Sequence, residues 1–254
     1  MKFVSLISGG KDSTFAHWKC VLDGHIPLCI ASLISPGSGP EEKDSFSFQT
    51  VGTRFIDFIA ECMDLPLIKR DLVGEAVLLD SSYKPTDGDE VEDLFVLLTE
   101  VKARFPEVKG VCTGALWSDY QRVRIENVCE RLDLTPLSPL WHCDQGELIE
   151  EMASAKHHGI LIKVASMGLK TSVLGKSIVN IVPQLKKLGE LYGMNVAGEG
   201  GEFETFTIDS PCYKKKIEII ESEIIVTDHD EMAPVAYFVI KDVRVVPKEE
   251  EIVE

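Results

Sequence analysis

The chain has 254 residues, 44% of them hydrophobic, and a formal net charge of −16 at pH 7. This length and apolar content suffice for a soluble globular protein with one large or two smaller packed domains. The negative charge repels phosphodiester backbones, so it disfavours a nucleic-acid substrate and suits a cationic substrate or a basic protein surface better.

The first motif follows an apolar run at residues 3–7 and consists of Ser8, Gly9, Gly10, Lys11, Asp12 and Ser13. A buried strand that runs into a glycine turn and then a helix is a typical phosphate site of parallel α/β sheets. The glycines bring N–H groups close to an anion, the lysine adds a cation and the serines add hydroxyl donors. We therefore predict a polyphosphate ligand, ATP, and the alternative is a glycine turn without a ligand. Asp12 is expected to cap the helix or to hold Mg²⁺ through water.

The first half of the chain alternates predicted strands and helices. We expect a helix over residues 15–22, a strand over 28–34, a helix over 55–63, and then a strand at 65–68, a helix at 91–101 and a strand at 108–113. This order predicts an α/β fold, an open parallel sheet with helices on both faces and right-handed crossovers. Residues 1–132 would form the ATP-binding domain, with a turn-rich loop at 36–47 and the adenine against Ala31 and Leu33.

A second group of polar residues follows the strand at 108–113. We expect Gly114 and Ala115 to line the nucleotide, because they lie at the same sheet edge as the first motif. The next helix begins with Tyr120 and Gln121. Arg124 is our candidate for a clamp that neutralises charge on the transferred phosphate, and Arg122 is a weaker version of it. The alternative is that Arg124 and Glu126 belong to a solvated helix face.

The second half has a different pattern. We predict helices at 147–157 and 184–192, a strand at 160–165, and an antiparallel meander of strands at 216–220, 223–227 and 236–240. These elements predict a smaller α+β domain over residues 133–248, followed by a frayed acidic tail at 249–254. His157 and His158 are interpreted as partners of a helix dipole rather than as metal ligands.

The densest unusual string is residues 198–206, in which three glutamates and two phenylalanines lie among three glycines. If this string is a strand, Glu202 and Glu204 share one face and Phe203 lies on the other. One interpretation is a pocket for a cation or an activated carboxyl group. The other is a glycine bulge that leads into an edge strand with solvated glutamates and a core phenylalanine.

Targeting signals and paired cysteines are absent from the sequence. No apolar stretch reaches the roughly 18 residues that span a bilayer, and the N-terminus lacks the pattern of a signal peptide. The seven cysteines are an odd number and form no C-x-x-C pair, which is typical of reduced, buried thiols. We therefore predict a cytoplasmic protein that does not bind membranes.

Five segments together resemble the diphthine-ammonia ligase family of PP-loop ATP pyrophosphatases. They are residues 8–13, residues 113–126, Pro139-Leu140-Trp141, Gly168-Leu169 and residues 199–205. The first segment lacks the G-x-x-x-x-G-K-[ST] spacing of a nucleotide triphosphatase P-loop. It is similar instead to the pyrophosphate loop of enzymes that cleave ATP between its α and β phosphates. The resemblance covers nearly the whole chain and implies the PP-loop fold, also described as adenine nucleotide alpha hydrolase-like.

The resemblance implies ATP-dependent amidation of diphthine on translation elongation factor two. Ammonium supplies the nitrogen, the carboxylate is activated as an acyl-adenylate, and AMP and pyrophosphate are released, with Mg²⁺ bound. Diphthine carries a quaternary trimethylammonium group beside the carboxylate, and glutamates and aromatic faces suit such a cation. We therefore expect Glu199, Glu202 and Glu204, with Phe203 or Phe206, to hold the cation and orient the carboxylate towards the α-phosphate.

The expected site draws on both halves of the chain. The residues expected to be catalytic are Lys11, Arg124, Glu202 and Glu204. The residues expected to bind ATP are Ser8, Gly9, Gly10, Lys11, Asp12, Ser13, Ala31, Leu33, Gly114 and Ala115, with Asp12 also holding Mg²⁺ through water. The residues expected to bind the substrate are Tyr120, Gln121, Glu199, Gly200, Gly201, Glu202, Phe203, Glu204 and Thr205.

Two other function classes stay open at this point. One is another PP-loop ligase that acts on a small acid or a transfer RNA base. The other is a sensor that binds ATP without cleaving it. A transfer RNA substrate calls for a basic surface that this composition lacks, and a sensor has no need for the acidic and aromatic string. Assembly into a homo-oligomer is left open by the sequence.

Overall fold

The computed structural model describes residues 1–35 and 53–248. Its first sheet has five parallel strands in the order β3-β2-β1-β4-β5. The strands are β1 (Lys2–Leu6), β2 (Ile26–Ile34), β3 (Leu67–Asp71), β4 (Gly110–Cys112) and β5 (Thr135–Leu137). The order reverses at β1, whose neighbours are β2 and β4, and ligands of such sheets bind outside the carboxyl ends of the strands at this point.

Helices cover both faces of this sheet, which confirms the predicted α/β class. They are α1 (Lys11–Leu22), α2 (Ile56–Met63), α3 (Glu90–Arg104) and α4 (Asp119–Arg131). Alternate residues of β2 face opposite ways: Ala31 and Leu33 pack with α3 and α4, whereas Ile30 packs with α2. Strand β5 extends the sheet past residue 132, the boundary expected from sequence, and the division into domains stays a prediction.

The second sheet has four strands in the order β7-β6-β9-β8, with antiparallel pairing. The strands are β6 (His158–Val164), β7 (Phe203–Asp209), β8 (Lys215–Asp228) and β9 (Val235–Pro247), and the helices α5 (Gln145–Ser154) and α6 (Val182–Tyr192) precede or connect them. The predicted meander is wrong in two respects. The expected strands at 216–220 and 223–227 are one strand, β8, because register shifts at residues 219–222 absorb the polar interruption. Strand β9 pairs with both β8 and β6, so neighbours in the sheet are not consecutive in the chain.

Strand β7 of the second sheet contacts the first motif directly. The N–H of Thr207 donates to the carbonyl oxygen of Gly9 at 2.8 Å. The N–H of Lys11 donates to Oγ1 of Thr205 at 3.0 Å. Strand β7 therefore holds the turn between β1 and α1 in place.

The remaining sequence expectations concern thiols, membranes and two peripheral segments. All seven cysteines are free thiols, five of them buried and two half-buried. Among the helices that the structure describes, none has the length and apolar character needed to cross a bilayer. The expected loop at 36–47 and the acidic tail at 249–254 lie outside the described residues.

Candidate active site

A cavity with about 870 Å³ of empty space opens at the carboxyl ends of β1, β2 and β4. One part of its wall is apolar, with Ala31 and Leu33 from β2 and Leu94 and Leu97 from α3. This wall suits a flat, largely apolar ring, and both residues expected near adenine belong to it.

The opposite part of the cavity is polar and is formed by the first motif. Ser8, Asp12 and Ser13 line it. Gly9 has φ +97°, a left-handed conformation that favours glycine, so the chain can turn sharply between β1 and α1. The hydroxyl oxygens of Ser8 and Ser13 lie 3.2 Å apart and are hydrogen-bonded to each other. Hydroxyl donors at a helix N-terminus are an arrangement that suits phosphate.

Gly114 brings the loop after β4 against the first turn of α1. A Cβ atom at this position would lie 2.6 Å from the nitrogen of Ser13 and 2.7 Å from the carbonyl carbon of Asp12. No side chain therefore fits there without moving the backbone. Gly114, Ala115 and Gln121 all line the cavity, so these three predicted residues are brought together with the first motif.

Asp12 does not cap α1, and its expected role in holding Mg²⁺ through water stays a prediction. The N-cap of α1 is Gly10, without a side-chain cap, because Asp12 already lies in the first helical turn. Oδ2 of Asp12 accepts a hydrogen bond from Nζ of Lys11 at 2.6 Å, whereas Oδ1 is buried without a hydrogen-bond partner in the described structure. A buried carboxylate oxygen beside a phosphate site fits Mg²⁺. The described residues contain no group of three or more His, Cys, Asp or Glu side chains that could hold a metal, so nucleotide and water oxygens would supply the remaining ligands.

The side chain of Lys11 is buried and does not line the cavity. It is 3% exposed, and its Nζ donates to the carbonyl oxygen of Ala197 at 2.5 Å as well as to Asp12. The ammonium also lies 5.5 Å from the ring centroid of Phe203. Because Lys11 is not among the cavity-lining residues, its expected contact with phosphate requires a different side-chain rotamer from the one described.

Glu199 is the glutamate of the acidic string that reaches the cavity. Burial, followed by the nearby charge of Asp12, raises the pKa of its carboxyl group to about 7, although Lys11 and a hydrogen bond from the backbone of Trp117 oppose the shift. Glu199 and Asp12 therefore place two carboxyl groups at the polar end, beside the expected phosphates.

The other two glutamates of the string have structural partners. Glu202 accepts hydrogen bonds from the N–H of Asn195 at 3.0 Å and from the N–H of Gly200 at 2.8 Å, so it closes the turn before β7. Glu204 lies 3.5 Å from Nζ of Lys163 on β6. The expected catalytic and cation-binding roles of Glu202 and Glu204 stay predictions, and neither residue lines the cavity.

The aromatic residues of the string belong to the core. Phe203 is 3% exposed and Phe206 is fully buried, so neither ring face is accessible to a substrate cation. Strand β7 is an edge strand. This agrees with the second interpretation of residues 198–206, an edge strand with a core phenylalanine. Thr205 is buried against Lys11, and Gly200 and Gly201 are exposed in the turn.

Arg124 is buried and joins α4 to the loop before α3. Its guanidinium donates to the carbonyl oxygens of Leu78, Asp80 and Tyr120 and lies 3.2 Å from the ring centroid of Tyr120. It is 1% exposed, so the alternative of a solvated helix face is wrong for this residue. The interpretation of a solvated helix face instead applies to Arg122 and Glu126, which form an exposed ion pair at 2.8 Å. Arg124 and Tyr120 do not line the cavity.

His157 is a positioning residue that the sequence interpretation missed. Its imidazole is fully buried, with Nε2 at 3.0 Å from the carbonyl oxygen of Lys11 and Nδ1 at 3.0 Å from Oγ of Ser210. Burial lowers its pKa to about 3, so the ring is neutral at pH 7. The expectation of a cationic partner for a helix dipole is therefore wrong. Burial of this kind has no local sequence signal, because it depends on contacts with distant elements.

Comparisons with known proteins assign both halves of the chain. Residues 1–136 match the family model for the diphthamide synthase N-terminal domain, and residues 144–236 match that for the diphthamide synthase C-terminal domain. The chain is 50% identical to diphthine--ammonia ligase of Danio rerio over 239 residues, which is 93% of each protein. It is 47% identical to the Bos taurus and 45% identical to the Homo sapiens protein of the same name, over 93% of this chain and 90% of each relative.

Proposed function

The chain belongs to the diphthamide synthase family, and from this membership we propose that it is a diphthine-ammonia ligase, an enzyme that forms a C–N bond. It amidates the carboxylate of diphthine with ammonium and converts ATP to AMP and pyrophosphate. The protein substrate is translation elongation factor two in its diphthine form, and the reaction takes place in the cytoplasm.

The observation that carries this proposal is that one cavity is lined by both distinctive motifs. Ser8, Asp12 and Ser13 come from the first motif, and Glu199 comes from the acidic string almost two hundred residues away. The apolar wall at Ala31 is the proposed adenine site. A nucleotide in this orientation has its phosphates against the serines and its α-phosphate near the second half of the chain.

The residues at the polar end fit a magnesium nucleotide. Asp12 would hold Mg²⁺ through its buried oxygen, directly or through water. The ion supplies charge neutralisation for the departing pyrophosphate. The hydroxyls of Ser8 and Ser13 and the N-terminus of α1 bind the same phosphates, and Lys11 reaches them when its ammonium leaves Ala197.

Amide formation then proceeds in two displacements. The diphthine carboxylate attacks the α-phosphorus, a new O–P bond forms, and the bond to the β-phosphate oxygen breaks as pyrophosphate leaves. Ammonia next attacks the carbonyl carbon of the acyl-adenylate, the C–O bond to AMP breaks, and one proton leaves the nitrogen. The half-buried carboxyl group of Glu199 is placed to bind the ammonium ion that supplies the nitrogen, and this ion gives up one proton to become the attacking ammonia. The enclosing walls limit hydrolysis of the adenylate by water.

Two rival functions predict different products. A sensor binds ATP without turnover, and a ligase for another acid turns over without diphthine. The test is to incubate the protein with ATP, Mg²⁺, ammonium and diphthine-bearing elongation factor, and to quantify AMP and pyrophosphate. We expect both products only when ammonium and the diphthine factor are present together. ADP as the main nucleotide product, or AMP formation that is indifferent to the diphthine factor, would overturn the proposal.

A further inference from the structure

Three aromatic rings form a stack on the surface beyond β4 and β5. The ring centroids of Trp117 and His142 are 4.5 Å apart with 24° between the planes, and those of His142 and Trp141 are 4.5 Å apart with 25° between them. Two hydrogen bonds fix the stack: Nε1 of Trp117 donates to the carbonyl oxygen of Cys143 at 2.9 Å, and the N–H of His142 donates to that of Leu116 at 2.9 Å. The stack is therefore a rigid feature that joins two loops.

The two ends of this stack differ. At one end, the guanidinium of Arg122 lies 5.2 Å from the ring centroid of Trp141, a cation–π contact. At the other end, His142 covers one face of the Trp117 ring, and Trp117 remains 49% exposed. A large aromatic side chain held rigidly with one accessible face is typical of a recognition surface rather than of a core.

The main chain of Trp117 contacts a carboxyl group of the cavity. Glu199, which lines the cavity, accepts a hydrogen bond from the backbone of Trp117. A quaternary ammonium group donates no hydrogen bonds, so proteins recognise it through aromatic faces and negative charge. Trp117 supplies the aromatic face and Glu199 the negative charge, and the two residues are in contact through the main chain of Trp117, whereas Phe203 and Phe206 are buried and unavailable.

We propose that the indole face of Trp117, with the Glu199 carboxylate beside it, binds the quaternary trimethylammonium group of the substrate. This inference rests on the proposed function and extends it by naming the group that selects the substrate. Since the main chain of Trp117 contacts Glu199, which lines the cavity, a cation held on the Trp117 ring would lie near the nucleotide site. The carboxylate of the same diphthine residue could then reach the α-phosphate. The site would also distinguish the trimethylated substrate from its unmethylated precursor.

The kinetic test uses Trp117→Leu, Trp117→Phe and a matched exposed aromatic, Tyr192→Leu, at the end of α6. We expect Trp117→Leu to raise the KM for the diphthine factor by about tenfold and to leave the KM for ATP unchanged, since only the cation–π contact with the substrate is lost. Trp117→Phe should recover part of the loss, and Tyr192→Leu should behave like the parent. An unchanged KM for the diphthine factor in Trp117→Leu would overturn the inference.

A binding test does not depend on turnover. Tetramethylammonium chloride is titrated into the protein while tryptophan fluorescence is recorded, with sodium chloride and the neutral isostere tert-butanol as controls. We expect saturable quenching by tetramethylammonium alone, and loss of that quenching in Trp117→Leu. If the parent fails to amidate diphthine, the proposed function is wrong, but the titration still tests whether Trp117 binds a quaternary ammonium ion. If the parent amidates diphthine but quenching is absent or persists in Trp117→Leu, only the inference of this section fails.

Discussion

The imidazole of His157 donates from Nε2 to the main-chain oxygen of Lys11 across 3.0 Å. A carbonyl oxygen can only accept, so the neutral ring carries its proton on Nε2, and Nδ1 accepts from the hydroxyl of Ser210. Because Lys11 also donates its N–H to Thr205, the residue at the start of α1 is held on both backbone groups by the second half of the chain. The geometry of the phosphate-binding turn therefore depends on docking of the second sheet.

The first prediction concerns the pH dependence of stability. Burial lowers the pKa of His157 from 6.5 to about 3 and that of His17 from 6.5 to about 4. The unfolded chain thus binds more protons than the folded protein below pH 6.5. The contribution of the neutral histidines to the free energy of unfolding is therefore fully present above pH 6.5 and decreases as the pH falls towards these folded-state pKa values. Between pH 6.5 and 5, each histidine should lower the free energy of unfolding by about 2 kcal/mol. Chemical denaturation at a series of pH values measures this decrease.

The control for this prediction is a pair of glutamine variants. His157→Gln should flatten the pH dependence, because it removes one titrating group, while the exposed histidine variant His229→Gln should follow the parent curve. A parent free energy of unfolding that stays constant from pH 7 to 5 would contradict the burial of these rings.

The second prediction separates two roles for Arg124. If the buried guanidinium mainly ties α4 to the loop at Leu78 and Asp80, Arg124→Gln should lower the free energy of unfolding by about 3 kcal/mol, since three carbonyl oxygens lose a charged donor. Arg122→Gln, which removes exposed ion pairs, should change the free energy of unfolding far less, because solvent screens such pairs. Thermal and denaturant unfolding give both values. A stable Arg124→Gln protein with a strongly reduced kcat would instead support the electrostatic clamp.

The third prediction concerns Gly114. Gly114→Ala places a Cβ against the backbone of Ser13 and Asp12, so the phosphate-binding turn must move. We expect ATP affinity to fall by about tenfold or more, measured by isothermal titration calorimetry with Mg²⁺ present. Gly146→Ala is the matched control, because its new Cβ would face a side-chain oxygen of Asp144 at 3.2 Å at the start of α5. Equal ATP affinities in the two variants would show that the close approach at Gly114 is unimportant.

The fourth prediction distinguishes the glutamates of the acidic string. Glu199→Gln should lower the amidation rate with little change in the free energy of unfolding, because its carboxylate faces the cavity. Glu202→Gln should lower the free energy of unfolding by about 1 kcal/mol, since an amide replaces one of the two oxygens that accept backbone N–H groups. Steady-state kinetics and denaturant unfolding of both variants test this assignment. A lower amidation rate with unchanged stability in Glu202→Gln, and the opposite in Glu199→Gln, would support a catalytic role for Glu202 instead.

The parallel sheet was predictable because its longer strands are continuous apolar runs, which is typical of strands buried on both faces. The short strand β5, Thr135–Leu137, gave no such signal. The polar residues Glu221 and Ser222 looked like a break between two strands, but an irregularity in pairing lets β8 continue through them. Local polarity alone does not distinguish a turn from a bulge.

The site was predictable where function lies in a compact motif and not where it depends on tertiary contacts. Three residues of the first motif, Ser8, Asp12 and Ser13, line the same cavity as Gly114 and Glu199. The alternation of side chains expected along a strand did not reveal that Glu202 accepts hydrogen bonds from Asn195 and Gly200 in the preceding turn. The stack of Trp117 and His142 joins residues 25 positions apart, so no local sequence pattern predicts it.

The most direct measurement follows isotopically labelled ammonium into the diphthine residue. The protein is incubated with ATP, Mg²⁺, labelled ammonium and diphthine-bearing elongation factor, and the modified peptide is sequenced by mass spectrometry alongside quantification of AMP. The account predicts one labelled amide nitrogen on the diphthine carboxylate for each AMP formed. An unlabelled carboxylate after AMP has accumulated, or label at another residue, would contradict it.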